Sequence, residues 1–125
     1  MDMRRVLAEV NRASGTFALV EAQPTFGGEV CAKAALQTSC GNVYIVRVEF
    51  AGYPSRMPMA YVTKPTLRPD RPHKYNDGSL CFMHPRAWNP GTHDLTFVLG
   101  RVAKWLNKYE VWRVTGRWPG AQFRH

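Results

Sequence analysis

The sequence predicts an α+β protein with an N-terminal helix, a four-stranded antiparallel meander, a long structured loop and a C-terminal helix. Three observations lead there. Apolar residues recur at helical spacing near both ends, and they alternate with period two in the middle. Between Lys64 and Gly91 nearly thirty residues follow neither period.

In the opening segment "MDMRRVLAEVNRAS", Met3, Val6, Leu7, Val10 and Ala13 fall on one stripe, the mark of a helix lying on a core, and Gly15 ends it. The runs "TFALVEAQP", "EVCAKAALQT" and "VYIVRVEF" read as strands, separated by Pro24 with Gly27-Gly28 and by Cys40-Gly41-Asn42. In the third run Tyr44, Val46, Val48 and Phe50 alternate with Ile45, Arg47 and Glu49, so one face is buried and the other meets water. Connections this short favour an antiparallel meander, with one face placed on the first helix. Pro54 and Pro58 bracket a stiff bend before a fourth strand, Met59 to Thr63.

From Lys64 to Gly91 prolines, glycines and polar residues dominate. A loop of this length within one compact domain is usually functional, and its aromatic and proline content argues for order. Regularity returns at Asp94, a predicted N-cap. Leu95, Val98, Leu99, Val102, Trp105, Leu106, Tyr109 and Trp112 then share a core face, with Arg101, Lys104 and Lys108 on the opposite one. Gly116 and Pro119 break the helix, and the tail ends in His125.

The chain has 125 residues, 45% of them hydrophobic and 21% charged, which fits one folded domain over 1–125 and excludes a disordered one. Its 17 Lys and Arg against 9 Asp and Glu leave a net charge of +8, favouring acidic partners. Those basic residues are scattered, with only Arg4-Arg5 adjacent, so a solvated basic surface is equally consistent. No zinc-finger spacing or recognisable groove-reading helix accompanies the charge, and nucleic acid is not an expected partner. Cys31, Cys40 and Cys81 cannot all pair, no secretory signal opens the chain, and no window approaches the roughly 18 apolar residues of a membrane span. A reducing cytoplasm and no membrane association are expected. Cys81-x-x-His84 has ligand-like spacing, but zinc sites usually draw on two tight pairs and only one is present, so no metal and no cofactor is expected.

The stretch from Arg71 to Pro90, "RPHKYNDGSLCFMHPRAWNP", sets one cysteine among two histidines, a tryptophan and three prolines. Together with its neighbours it resembles the ubiquitin-conjugating enzymes, in which a cysteine carries the C-terminus of a ubiquitin-like protein as a thioester. The bend "YPSRMPMAYV" is similar to that family's Tyr-Pro-x-x-x-Pro turn between strands three and four. "RPHKYNDGSLC" resembles its His-Pro-Asn element ending in Gly-x-Ile/Leu-Cys, and "WNP" resembles its Trp-x-Pro. In this order and spacing the matches span about residues 1 to 114 and imply the UBC-like fold.

Two departures stand beside them. Arg71 and Pro72 occupy the family's His and Pro, and His73 occupies its Asn, which leaves the oxyanion-stabilising or loop-ordering role without its usual residue. A single C-terminal helix and a short tail replace the family's last helices. Both features resemble divergent bacterial members. A short chain with a "TGRWPG...H" tail looks most like the conjugating-enzyme-like component of short bacterial CBASS anti-phage operons, which acts beside a cGAS-like nucleotidyltransferase without a separate activating enzyme.

The resemblance implies a bacterial acyl transferase that carries a partner's C-terminus on Cys81 and passes it to a target lysine. The carried partner is a cGAS-like nucleotidyltransferase or a ubiquitin-like protein. A thiolate is strongly nucleophilic near neutral pH, and its thioester is activated towards amines. The Asp77-Gly78 turn presents Cys81 from an extended segment. His73 has two readings: an N–H donor to the oxyanion or base for the incoming amine, or a loop histidine satisfied by backbone. Asp77, His84 and His125 are supporting candidates, while Pro72, Trp88 and Pro90 are expected to anchor the loop. Cys31 and Cys40 read as structural. A non-catalytic binding module on the same fold, a conjugating enzyme of another bacterial ubiquitin-like pathway, and discharge of the thioester to water stay open.

Overall fold

The computed structural model describes residues 1–120. In chain order they form helix α1 (Met3–Ala13), strands β1 (Leu19–Pro24), β2 (Val30–Gln37), β3 (Val43–Glu49) and β4 (Met59–Lys64), a single 3-10 turn at Pro85–Ala87, and helix α2 (Leu95–Thr115). The strands make one antiparallel sheet in the order β1-β2-β3-β4, the expected meander.

Strand register follows from burial. Ala32, Ala34 and Leu36 of β2 face the same side as Tyr44, Val46 and Val48 of β3, and all six are buried. A slip of one residue would turn this apolar set into water. On the outer face Arg47 pairs with Glu49 at 3.0 Å and its guanidinium sits 4.9 Å from the Tyr61 ring centroid.

The Asp94 carboxylate accepts from the Phe97 N–H at 2.9 Å, capping α2 as expected. From α2, Leu95, Val98, Leu99, Val102, Trp105, Leu106 and Tyr109 enter the core, and Trp112 is half-buried. Burying each such side chain is worth about 1.5–3 kcal/mol, so this stripe holds α2 against the rest of the molecule. Tyr109 meets Tyr44 edge-on at 6.5 Å, and the buried Glu110 accepts hydrogen bonds from the Tyr44 hydroxyl and the Asn42 amide, both at 2.7 Å. At Tyr44 the sheet's inner face therefore meets α2, while its β1 edge meets the first helix, as expected.

Helix α1 packs on α2 and β1. It is rotated relative to the expected stripe: Val6, Val10 and Ala13 are buried, but Leu7 is exposed and Glu9 takes an inward position. The reason is a set of donors around the Glu9 carboxylate. The Tyr53 hydroxyl and the Arg5 guanidinium both bond to it, and the Leu95 N–H donates to it at 2.9 Å. A buried carboxylate so surrounded is satisfied, and it ties α1, the bend after β3 and the first turn of α2 together.

Candidate active site

Cys81 is positioned by a chain of backbone constraints that begins at Asp77. Its carboxylate accepts from the Ser79 N–H at 2.9 Å and the Ser79 hydroxyl at 2.6 Å, closing the turn in which Gly78 adopts φ 87°. That conformation suits glycine because it lacks a Cβ. Its second oxygen accepts from the Tyr61 hydroxyl at 3.2 Å, which fastens the turn to β4. One residue before the cysteine, the Leu80 N–H donates to the Ala60 carbonyl at 2.8 Å, and Lys74 and Leu80 form an antiparallel bridge. The loop without periodicity is thus a small hairpin clamped to the sheet edge, extended by the 3-10 turn.

Across this hairpin the Cys81 N–H donates to the His73 carbonyl at 2.9 Å, and the Trp105 indole N–H donates to the same oxygen at 3.1 Å. His73 stands at φ 58°, the left-handed region that non-glycine residues seldom occupy. Pro72, half-buried, immediately precedes it. The His73 ring lies 4.8 Å from the Trp118 ring, and Trp118 lies 5.2 Å from Trp105. This cluster of tilted rings forms because Gly116 caps α2 at φ 76° and turns the chain back along the helix.

The result is a pocket of about 160 Å³. Its walls are His73, Cys81 and Phe82 from the loop, Arg101, Lys104, Trp105 and Lys108 from α2, and Trp118 from the returning tail. Cys81 is only 2% exposed. Burial pushes its thiol up from the ordinary cysteine value, and the Tyr75 hydroxyl beside it acts in the opposite direction. Tyr75 itself is raised, by burial first and by Cys81 second. Arg101 is oriented by donating from Nε to the Phe82 carbonyl at 3.2 Å.

Of the candidate site residues that are described, Cys81 and His73 share this pocket, while Pro72, Asp77, His84, Trp88 and Pro90 lie outside its lining. His84 caps the 3-10 turn, its Nδ1 accepting from the Arg86 N–H at 3.0 Å. Asp77 shapes the turn, as described. Trp88 is buried, with its indole N–H donating to the Pro54 carbonyl at 2.7 Å and its ring 5.8 Å from Tyr53. Pro90 lines a separate groove with Arg5 and His93. His125 lies outside the described residues. Cys31 is buried in β2, and Cys40 is exposed beyond it. Among the described residues no three His, Cys, Asp or Glu side chains come together to hold a metal ion. No described helix is long and apolar enough to cross a membrane.

Sequence reasoning missed Tyr75 and Trp118, and it placed Arg101, Lys104 and Lys108 together on the face of α2 opposite the core stripe. That face lines the cysteine pocket, with Arg101 and Lys108 half-buried and Lys104 exposed. Their spacing was a readable signal for a common helix side, but what lay opposite that side was not.

The arrangement joins a cysteine thiol, an imidazole and a group of cations around one small cavity at the end of a clamped hairpin. Residues 9–125 match the family model described as "Type II CBASS E2 protein", and the chain belongs to that family. Membership makes it a conjugating-enzyme-like component of CBASS, a bacterial defence system. No curated protein and no solved structure matches it.

Proposed function

We propose that this type II CBASS E2 protein is a single-domain acyl carrier. In this reading it holds a partner protein's C-terminus on Cys81 and transfers it to a lysine during anti-phage defence. The observation that carries the reading is the shared pocket of Cys81 and His73, joined through the backbone, at the end of a hairpin held by β4. The thiolate Sγ attacks the carbonyl of an activated C-terminus, the leaving group departs, and a thioester forms. A deprotonated lysine Nζ then attacks that carbonyl. The tetrahedral oxyanion collapses, the C–S bond breaks, an isopeptide bond is made, and the extra proton on nitrogen passes to a base.

His73 is the residue proposed to serve that step, as N–H donor to the oxyanion or as acceptor of the amine proton. Asp77, His84 and His125 support it, and Pro72, Trp88 and Pro90 hold the loop. The carried partner is proposed to be a cGAS-like nucleotidyltransferase, whose attachment to a target would alter its signalling.

The test is expression with the native operon, wild type beside Cys81→Ala and Cys81→Ser, read on non-reducing gels and by mass spectrometry. A thiol-sensitive adduct in the wild type, absent in Ala and converted to a thiol-resistant oxyester in Ser, is expected and identifies the carried protein. Intact defence in Cys81→Ala with no adduct in any form would leave a binding module.

A further inference from the structure

Two hydrogen bonds set the position of Cys81 along α2. The Arg101 Nε donates to the Phe82 carbonyl at 3.2 Å, and the Trp105 indole N–H donates at 3.1 Å to the His73 carbonyl, which also accepts from the Cys81 N–H. The segment carrying the thiol therefore crosses the helix between residues 101 and 105, and Lys104 stands in that interval. Helical side chains lean towards the N-terminus of their own helix, which directs the Lys104 stem back over the crossing. Lys104 and Cys81 line the same cavity, and at about 160 Å³ that cavity leaves its wall residues within a lysine's reach of one another.

A second lysine shares this wall, but its surroundings differ. A Cβ at Gly120 would meet the Lys108 Nζ at 3.3 Å and its Cε at 3.6 Å, so the returning tail packs on the end of that half-buried side chain. Lys104 is exposed, and its flexible four-carbon stem can sample the cavity mouth. Its backbone is held in place, because Val102, Trp105 and Leu106 on either side of it are buried in the core.

We infer that Lys104 is a built-in acceptor: when no outside lysine takes the acyl group from Cys81, the protein modifies itself at residue 104. The inference rests on the carrier reading and names an acceptor for that same site. The uncharged Nζ, its ammonium proton given to water, attacks the thioester carbonyl. The C–S bond breaks, an amide bond forms between the carbonyl carbon and Nζ, and one proton passes from nitrogen to the departing sulfur, restoring the Cys81 thiol. No further reactant is needed. Attack within one molecule requires no encounter, so its rate is independent of protein concentration and it outpaces capture by a dilute external amine.

The test is a pulse and chase on the full chain. Wild-type protein is loaded with a fluorescein-labelled peptide ending in Gly-Gly, supplied as its mercaptoethanesulfonate thioester, and the excess is removed by desalting. Gels with and without dithiothreitol then follow the label with no amine added. Thiol-sensitive label on Cys81 should convert to thiol-resistant label, at one rate across an about tenfold range of protein concentration, and peptide mapping should place it on Lys104. Lys104→Arg keeps the charge and removes the nucleophile, and conversion should slow about tenfold. Lys64→Arg, at the exposed end of β4 and outside the pocket lining, should convert at the wild-type rate. Cys81→Ala should acquire no thiol-resistant label, whereas label there equal to wild type would mean direct acylation by the reagent and overturn the inference. Label that stays thiol-sensitive in the wild type, that maps to lysines outside the pocket, or that converts equally fast in Lys104→Arg also overturns it and keeps the carrier. Failure of residue 81 to take up any thiol-sensitive label removes the carrier reading, and the inference with it.

Discussion

The backbone N–H of Cys81 donates to the carbonyl of His73 at 2.9 Å, so the two residues are joined through their main chains. The bond depends on His73 standing at φ 58°, which turns its carbonyl towards both Cys81 and Trp105. Backbone and ring of His73 thus have separable tasks, one structural and the other facing the pocket.

Substitution separates them. His73→Gly keeps the left-handed backbone without a Cβ, whereas His73→Ala costs about 1–2 kcal/mol in that conformation. Urea unfolding should therefore find Ala less stable than Gly by about that amount. Both lose the ring, and both should discharge a Cys81 thioester to lysine about a hundredfold more slowly than wild type. Wild-type discharge by both variants would remove the imidazole from the mechanism.

Trp118 closes the pocket from the tail, against His73 and Trp105. Trp118→Ala should open it, raising the iodoacetamide labelling rate of Cys81 several-fold. Cys40, already exposed, serves as an internal standard whose rate stays constant. Peptide mapping by mass spectrometry reads both sites at once, and an unchanged Cys81 rate would show that the tail does not limit access.

Alkylation of Cys81 should rise with pH through a midpoint above the ordinary cysteine value of about 8.5, because burial disfavours the thiolate. The Tyr75 hydroxyl lowers that midpoint by donating to the thiolate. Tyr75→Phe removes the donor, so the midpoint should move further up and labelling at neutral pH should slow several-fold. A midpoint that falls in Tyr75→Phe would contradict the assignment.

Glu9 answers donors from Tyr53, Arg5 and Leu95. Glu9→Ala leaves these groups buried without their acceptor, and a loss of about 3–5 kcal/mol is expected from the urea midpoint. Glu9→Gln keeps an acceptor oxygen but loses the charge, and should fall between Ala and wild type. Leu7→Ala, on the exposed side of α1, should change stability by less than about 0.5 kcal/mol.

Much of the architecture was legible residue by residue. The period-two alternation through Tyr44, Val46, Val48 and Phe50, the apolar stripe from Leu95 to Tyr109 and the Asp94 cap each state a local preference that folding preserved. Asp77-Gly78 before Cys81 announced a turn for the same reason, since glycine's freedom at positive φ is a property of one residue. Leu7 misled because helical spacing defines a stripe's width poorly, and a rotation of some tens of degrees about the axis brings Glu9 inward and leaves Leu7 exposed.

By itself, then, the sequence determined the elements, their order and the place of Cys81 at the end of a turn, because propensity, periodicity and turn chemistry act over a few residues. Only the tertiary structure decided what surrounds that cysteine. Tyr75, Trp105, Trp118 and the three cations of α2 come from segments up to about forty residues away. Their convergence depends on how α2 lies against the loop and where Gly116 turns the chain, which are outcomes of packing among distant surfaces and not of any local pattern.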